Sequence, residues 1–310
     1  MNKTALFVGL GSIGKRHLKN LKALIDIDVD ALRSSTKMPL PDEISFLIRK
    51  EYYDIKDLPK YDMIFITNPS DLHYETILNL QDKTDNFFVE KPLDVIPLRA
   101  EQLSKLDLNK LYYIACPLRH TGVYRALEEI LKDKKIYSTR AICTSYLPEW
   151  RPGVDYRTIY SARKESGGVK IDLIHEFDYL FRLLGFPKKY VMFENKISDL
   201  EIESNDFVSF TGEYDDKYLE LHLDYFGRIK QRTAEFYTKD DVIWCDFNSS
   251  KIRVNGQIQN FSEEINDRYV NEMKYFLNLI DFKNENINDI MNANRVLKYI
   301  IQGENNGTEK

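Results

Sequence analysis

Residues 6–21 read LFVGLGSIGKRHLKNL, and this stretch decides how the first half of the chain folds. Thr4, Ala5, Leu6, Phe7 and Val8 form a short apolar run suited to a buried strand of a parallel sheet. From Ser12 onward, Ile13, Leu18, Leu21, Leu24 and Ile25 recur at helical spacing, with Lys15, Arg16, Lys19 and Lys22 largely on other faces. Between the two stand Gly9, Gly11 and Gly14. Gly9 can make the tight turn, Gly11 leaves room for a pyrophosphate against the backbone, and Gly14 lets helix and strand pack closely. The free N–H groups at the helix start, around Ser12 and Ile13, and the helix dipole suit that anion. A bare β-turn-α connection uses the same glycines. The flanking strand and helix are what turn the reading toward a dinucleotide.

The far end of such a ligand is a ribose, usually met by an acidic residue ~20 residues after the glycines. Here the second strand runs from about Asp28 to Leu32 and ends in Arg33, Ser34, Ser35 and Thr36, while Asp30 lies too early in the strand. A guanidinium with three hydroxyls suits a 2′-phosphate, so NADP is favoured over NAD; the alternative is a surface turn that touches nothing.

The 310 residues suffice for two domains, and 43% hydrophobic with 30% charged residues excludes a disordered chain. A net charge of −5 gives no reason to expect nucleic acid or an anionic membrane as partner. No run approaches a membrane span, no secretory signal is visible, and the three separated cysteines lack metal-ligand spacing. The expectation is a cytoplasmic protein with free thiols and no metal.

Strand and helix patterns alternate as far as about residue 118, then strand-type runs dominate from Tyr190 to Val254 before two closing helices. In YLELHLDYF, Leu219, Leu221, Leu223 and Tyr225 share one face and Glu220, His222 and Asp224 the other. The expected fold class is α/β: a Rossmann doubly wound parallel sheet, then an α+β domain with an open, mostly antiparallel sheet. The expected boundaries are 1–118 for the dinucleotide domain, 119–303 for the substrate and oligomerisation domain, and 304–310 for a disordered tail. The open face predicts a homodimer or homotetramer.

Two further stretches, FFVEKPL (87–93) and TNPSDLH (67–73), together with the opening glycines, resemble the glucose–fructose oxidoreductase/inositol dehydrogenase family, Gfo/Idh/MocA. The resemblance covers nearly the whole chain. It implies an NAD(P)-dependent oxidoreductase acting on a hydroxyl or carbonyl carbon of a sugar derivative. It also implies that Thr67, Asn68, Pro69 and His73 lie along the cofactor, Glu90 near the nicotinamide riboside, and Lys91 in the catalytic pocket. CPLRH (116–120) stands where the family usually has a Tyr-Asn-x-Arg segment, and Cys116 and Pro117 replace the common residues. Independently, an ammonium near a cationic ring and partly desolvated has a lowered pKa and can polarise a carbonyl.

In ESGGVKIDLIHEFDYLFRLLG (165–185), Asp172, His175 and Asp178 recur every three residues, which on one helix puts them on one side. His175 suits proton transfer at neutral pH, with Asp172 as its orienter. The family places Asp four residues before the His, whereas here the separation is three, so His175 transfers from the family more firmly than Asp172.

The stretch from 146 to 168 carries Arg151, Arg157 and Arg163 with Trp150, Tyr156 and Tyr160 among them. Forks for a phosphate or carboxylate beside flat aromatic faces suit an anionic sugar, with Arg232 as a second contact from the sheet. Salt bridges within the loop are the plain alternative. The loop also resembles a subgroup from bacterial surface-polysaccharide and nonulosonic-acid pathways. Two other functions stay open: a non-catalytic dinucleotide-binding sensor or scaffold, and an enzyme that recycles tightly held NAD within one turnover.

Overall fold

The computed structural model describes residues 2–34, 39–165 and 167–302; Ser35, Thr36 and the 304–310 tail lie outside the described residues. Backbone contacts divide the chain into two compact units, Met1–Pro117 with Asn266–Gln302, and Leu118–Ile265.

The first unit holds β1 (Lys3–Val8), α1 (Ser12–Leu24), β2 (Ile27–Leu32), α2 (Asp42–Ser45), β3 (Lys50–Tyr52), β4 (Met63–Ile66), α3 (His73–Leu80), β5 (Asn86–Val89), α4 (Ala100–Leu103) and β6 (Leu111–Ile114). The strands form one parallel sheet in the order β3-β2-β1-β4-β5-β6. Its apolar runs are buried on both faces, as a parallel sheet covered by helices requires. On one face Ala5, Phe7, Phe65 and Phe88 pack with Leu18 and Leu21 of α1; on the other Leu6, Ile64, Ile66 and Val89 pack with Ile77 and Leu80 of α3. Strand order reverses between β1 and β4, and the turns after both strands, at Gly9 and Thr67, open at that switch point. Here α4 is a single short turn of four residues, and β3 is a polar three-residue strand at the sheet's edge.

The expected boundaries place residues 266–302 in the second domain. They return to the first unit as α8 (Asp267–Phe282) and α9 (Ile290–Gln302), numbered after the elements of the second unit. Met273, Phe276 and Leu279 of α8 complete the core beside α1, so burial of that apolar stripe places the helix.

The second unit contains α5 (Gly122–Leu131), β7 (Ile136–Tyr146), α6 (Val169–Asp172), α7 (Ile174–Leu184), β8 (Lys189–Asn195), β9 (Phe207–Glu213), β10 (Tyr218–Asp224), β11 (Phe226–Thr238), β12 (Val242–Asp246), β13 (Lys251–Val254) and β14 (Gln257–Asn260). Its eight strands run β14-β13-β12-β11-β7-β10-β9-β8, antiparallel except for β7 beside β10. Leu219, Leu221 and Leu223 of β10 are buried while Glu220 is exposed, so the alternation sets the faces. Phe177 of α7 meets Phe210 edge-on at 5.4 Å on the buried side. The single helix expected to carry Asp172, His175 and Asp178 divides at Leu173 (φ −97°, ψ 24°) into α6 and α7. No helix among the described residues is long and apolar enough to cross a membrane.

Candidate active site

The glycines build a cradle at the end of β1. Gly9 has φ +91°, and a Cβ there would lie 2.6 Å from the Asn68 backbone nitrogen. A Cβ on Gly14 would run into the Gly9 carbonyl and come within 2.7 Å of Thr67 Oγ1. A Cβ on Gly11 would meet nothing within 4 Å among the described residues, so the space that they leave before the first turn of α1 is open. That turn has no side-chain cap and no acidic residue, which leaves its N–H groups and dipole available to an anion. Ser12 is exposed and Ile13 half-buried at this opening. Thr67 ties the two turns together by donating its hydroxyl to the Gly9 carbonyl at 2.5 Å. Asn68 donates to Thr76 Oγ1 at 2.8 Å, and its buried Oδ1 has no protein hydrogen bond among the described residues. Pro69 follows, exposed. A dinucleotide fits these features: backbone donors, room without side chains, and an unused buried acceptor.

At the ribose end, Asp30 is fully buried and accepts from Arg49 at 2.9 and 2.8 Å and from the Tyr61 hydroxyl at 2.9 Å. It is a structural carboxylate, and its burial matches the exclusion made from its place in the strand. Arg33 is ion-paired with Glu51, whose carboxyl it holds below the usual range, and Tyr53 donates to the same carboxylate at 2.8 Å. Ser34 beside it is exposed.

Lys91, partly exposed, follows β5 between two fixed neighbours. Glu90 Oε1 lies 2.6 Å from His17 Nε2, and Glu90 Oε2 accepts the Lys91 backbone N–H at 3.1 Å. Burial opposes the Glu90 charge, but the His17 bond and the nearby Lys91 outweigh it and lower the carboxyl's pKa. His73 is buried rather than laid open along a ligand path. Its Nδ1 faces the Pro92 carbonyl at 2.8 Å and its Nε2 the Asn68 carbonyl at 2.9 Å. His17 was missed in the sequence, although its signal was there: a histidine on the buried stripe of α1, three residues after Gly14 and four before Leu21.

Cys116, at the segment that departs from the family pattern, is buried and its N–H donates to Glu272 Oε1 at 2.6 Å. In the second unit, Arg119 forks onto Asp178 at 2.8 and 2.5 Å. Asp178, the third member of the carboxylate–histidine row, is therefore held by a guanidinium. Asp172 ends α6, buried, and its Oδ2 accepts from the Tyr225 hydroxyl at 2.5 Å. His175 lies in the first turn of α7, half-buried. The break at Leu173 means that no single regular helix aligns the two.

Arg232, expected as a second substrate contact from the sheet, already has partners within the second unit. Its Nε lies 2.9 Å from Glu176 Oε1 and donates to Cys143 Sγ at 3.4 Å. Glu176 is 1% exposed, and burial raises its carboxyl's pKa despite the guanidinium beside it. A buried carboxylate needs a counter-charge, so Arg232 serves the core. In the 146–168 loop, Arg157 binds Asp155 at 2.8 Å and Glu201 at 3.0 Å, and Tyr156 accepts the Glu201 N–H at 3.2 Å. Arg151 lies over the Tyr160 ring at 5.8 Å. Arg163 is exposed, with no side-chain hydrogen bond or ion pair among the described residues.

Residues 3–108 match the model of an oxidoreductase family with an NAD-binding Rossmann fold, GFO_IDH_MocA. The chain is 26% identical over 190 residues to the uncharacterized oxidoreductase YrbE of Bacillus subtilis, covering 57% of this chain and 52% of that protein. It is 24% identical over 187 residues to myo-inositol 2-dehydrogenase of Thermotoga maritima, covering 57% and 54%. These matches span about half the length of the curated relatives. Along 99% of this chain and 95% of the other, the fold is similar to that of GenD2 from gentamicin A biosynthesis in complex with NAD, with TM-score 0.80 at 16% identity. Residues 3–108 thus carry both the glycine cradle and the sequence match to the NAD-binding Rossmann part of the Gfo/Idh/MocA oxidoreductase family.

Proposed function

We propose that the protein is an NAD(P)-dependent dehydrogenase or reductase acting on a CH–OH or carbonyl carbon of a sugar or sugar derivative. The observation that carries this reading is the open cradle at Gly11 on the same sheet edge as Lys91. The relatives' names, myo-inositol 2-dehydrogenase among them, support a polyhydroxylated substrate. When bound, the nicotinamide supplies hydride exchange with the substrate carbon. The backbone N–H groups at Ser12 and Ile13 would hold the pyrophosphate, and Thr67, Asn68 and Pro69 would border the dinucleotide. Lys91 polarises the reacting oxygen through its ammonium. His175 takes or returns the hydroxyl proton, with Asp172, itself fixed by Tyr225, as its orienter.

Arg33 is already engaged by Glu51, so a 2′-phosphate must displace a carboxylate to use it. Any preference for NADP over NAD is accordingly small. Arg151 and Arg163 are the cations of the 146–168 loop best suited to an anionic group on the sugar, as in a surface-glycan precursor. The exposed Ile142, Val191, Phe193 and Ile229 of the second unit's sheet suit association with another copy. Cys116, Cys143 and Cys245 are buried and outside any disulfide, which suits a reducing cytoplasm.

Replacing His175 or Lys91 by Ala tests the reading against a sugar and polyol panel. Each change is expected to cut turnover about 10²-fold or more and to leave dinucleotide affinity within a few fold. Full turnover in either variant removes that residue from the mechanism, and dinucleotide binding without turnover on any substrate favours a sensor.

A further inference from the structure

We infer that His17 is a positioning residue for Lys91, acting through Glu90 and linking the dinucleotide-binding helix to the reactive lysine. The inference rests on the dehydrogenase reading for the role of Lys91, but its geometry lies wholly within the first unit.

The ring of His17 is 0% exposed and held edge-on against Phe88 at 4.7 Å and Tyr269 at 5.9 Å. Arg16 covers the other aromatic partner, lying 4.6 Å from the centroid of Tyr269. An ionised carboxylate only accepts, so His17 Nε2 carries the proton that is donated to Glu90 Oε1 across 2.6 Å. Among the described residues His17 Nδ1 is buried without a hydrogen bond, so within them the Glu90 contact is the ring's one polar attachment. Burying a histidine with a carboxylate costs desolvation that well-packed apolar residues of similar volume would avoid.

What the pair fixes is the backbone on one side of Lys91. Glu90 Oε2 accepts the Lys91 N–H, so the carboxylate bridges His17 and the lysine's own backbone. On the other side, His73 faces the Pro92 carbonyl. Lys91 is thus flanked by two residues anchored to buried imidazoles, one from α1 and one from α3. Because α1 begins at Gly11 and Ser12, the same helix presents its N-terminus to the dinucleotide and His17 to Glu90. The titratable and charged groups acting on Glu90 or acted on by it are His17, Lys91, His73 and Tyr269.

The test uses the full chain with His17→Leu, His17→Gln and Glu90→Gln. Gln reaches the position of the imidazole Nε2 with an amide donor, whereas Leu cannot donate. Without the donor, burial neutralises Glu90, and the Lys91 ammonium loses a negative neighbour. The pH midpoint for acylation of Lys91 by an amine reagent, read by peptide mass spectrometry, is expected to fall in His17→Leu and Glu90→Gln and to stay near the wild-type value in His17→Gln. With an active substrate, kcat is expected to fall roughly tenfold in His17→Leu with KM within about twofold, and His17→Gln is expected to recover most of it. An unchanged midpoint in both His17→Leu and Glu90→Gln overturns the inference and leaves the dehydrogenase reading intact. Should His17→Leu not fold, the Glu90→Gln midpoint decides alone. If no substrate turns over, the acylation midpoints still decide it while the dehydrogenase reading falls.

Discussion

The turn after β1 and the loop from 146 to 168 were both read as binding elements, yet they bind by different means. In the turn, the backbone itself is the binding group, and the sequence records only where side chains must be missing. A Cβ at Gly9 or Gly14 collides with backbone, and one at Gly11 projects into open space. In the loop, binding would depend on side-chain charge, and the chain offers its own carboxylates to compete for it. Arg157 is held by Asp155 and Glu201, and Arg232 of the sheet by Glu176. An absent side chain has one meaning in a given backbone setting; a charged one has several possible partners.

The sharpest way to break this contrast is Arg232→Ala. As a core counter-charge its removal strands Glu176 and is expected to cost about 3–5 kcal/mol in denaturant unfolding. A raised KM with unchanged stability would return Arg232 to the substrate side. Next in size is the pair Gly14→Ala and Gly11→Ala. The first is expected to lose about 1–3 kcal/mol of stability by overpacking against Gly9 and Thr67. The second is expected to unfold like the wild type and yet bind dinucleotide roughly tenfold more weakly, about 1.4 kcal/mol, in calorimetry. Equal stability losses in both would show that the opening at Gly11 has no ligand to accommodate.

A smaller effect is expected two residues past Pro92. Burial pushes the Asp94 carboxyl up from 3.8 to about 6, against the Val95 and Ile96 N–H groups that it accepts. Below pH 3.8 the acid is neutral in both folded and unfolded chains and carries no penalty. As pH rises through about 6, the folded state must bury a charge that the unfolded state carries in water, so stability is lost. Asp94→Asn is therefore expected to melt like the wild type near pH 3.5 and to be more stable at pH 7, by at most about 1 kcal/mol after solvent screening. A wild-type melting curve at pH 7 excludes it. The smallest change is expected for Arg157→Ala, a few tenths of a kcal/mol in stability, since its partners are exposed. A several-fold rise in KM for charged sugars alone would show instead that the loop exchanges Asp155 and Glu201 for substrate.

The parallel sheet was legible because unbroken apolar runs such as Leu6–Val8 and Phe87–Val89 have few other uses, and β10 was legible from its alternation. The break at Leu173 was hidden because Ile171, Leu173 and Ile174 continue the apolar pattern through it. The home of 266–302 was hidden because an amphipathic helix states which face is buried and never against what. Glu90 and Lys91 were read from a resemblance, whereas their partner His17 lies 73 positions from Glu90 in the chain, beyond any local pattern.

That return of α8 and α9 bears on the order in which the protein is made. A ribosome adding roughly 5–20 residues per second releases residues 1–117 first and the helices that finish their core last. All of residues 118–265 emerge in between. For that interval the face of the parallel sheet that will receive Met273, Phe276 and Leu279 lacks its cover, while the second unit already has every residue it needs. The nucleotide-binding half is begun first and completed last.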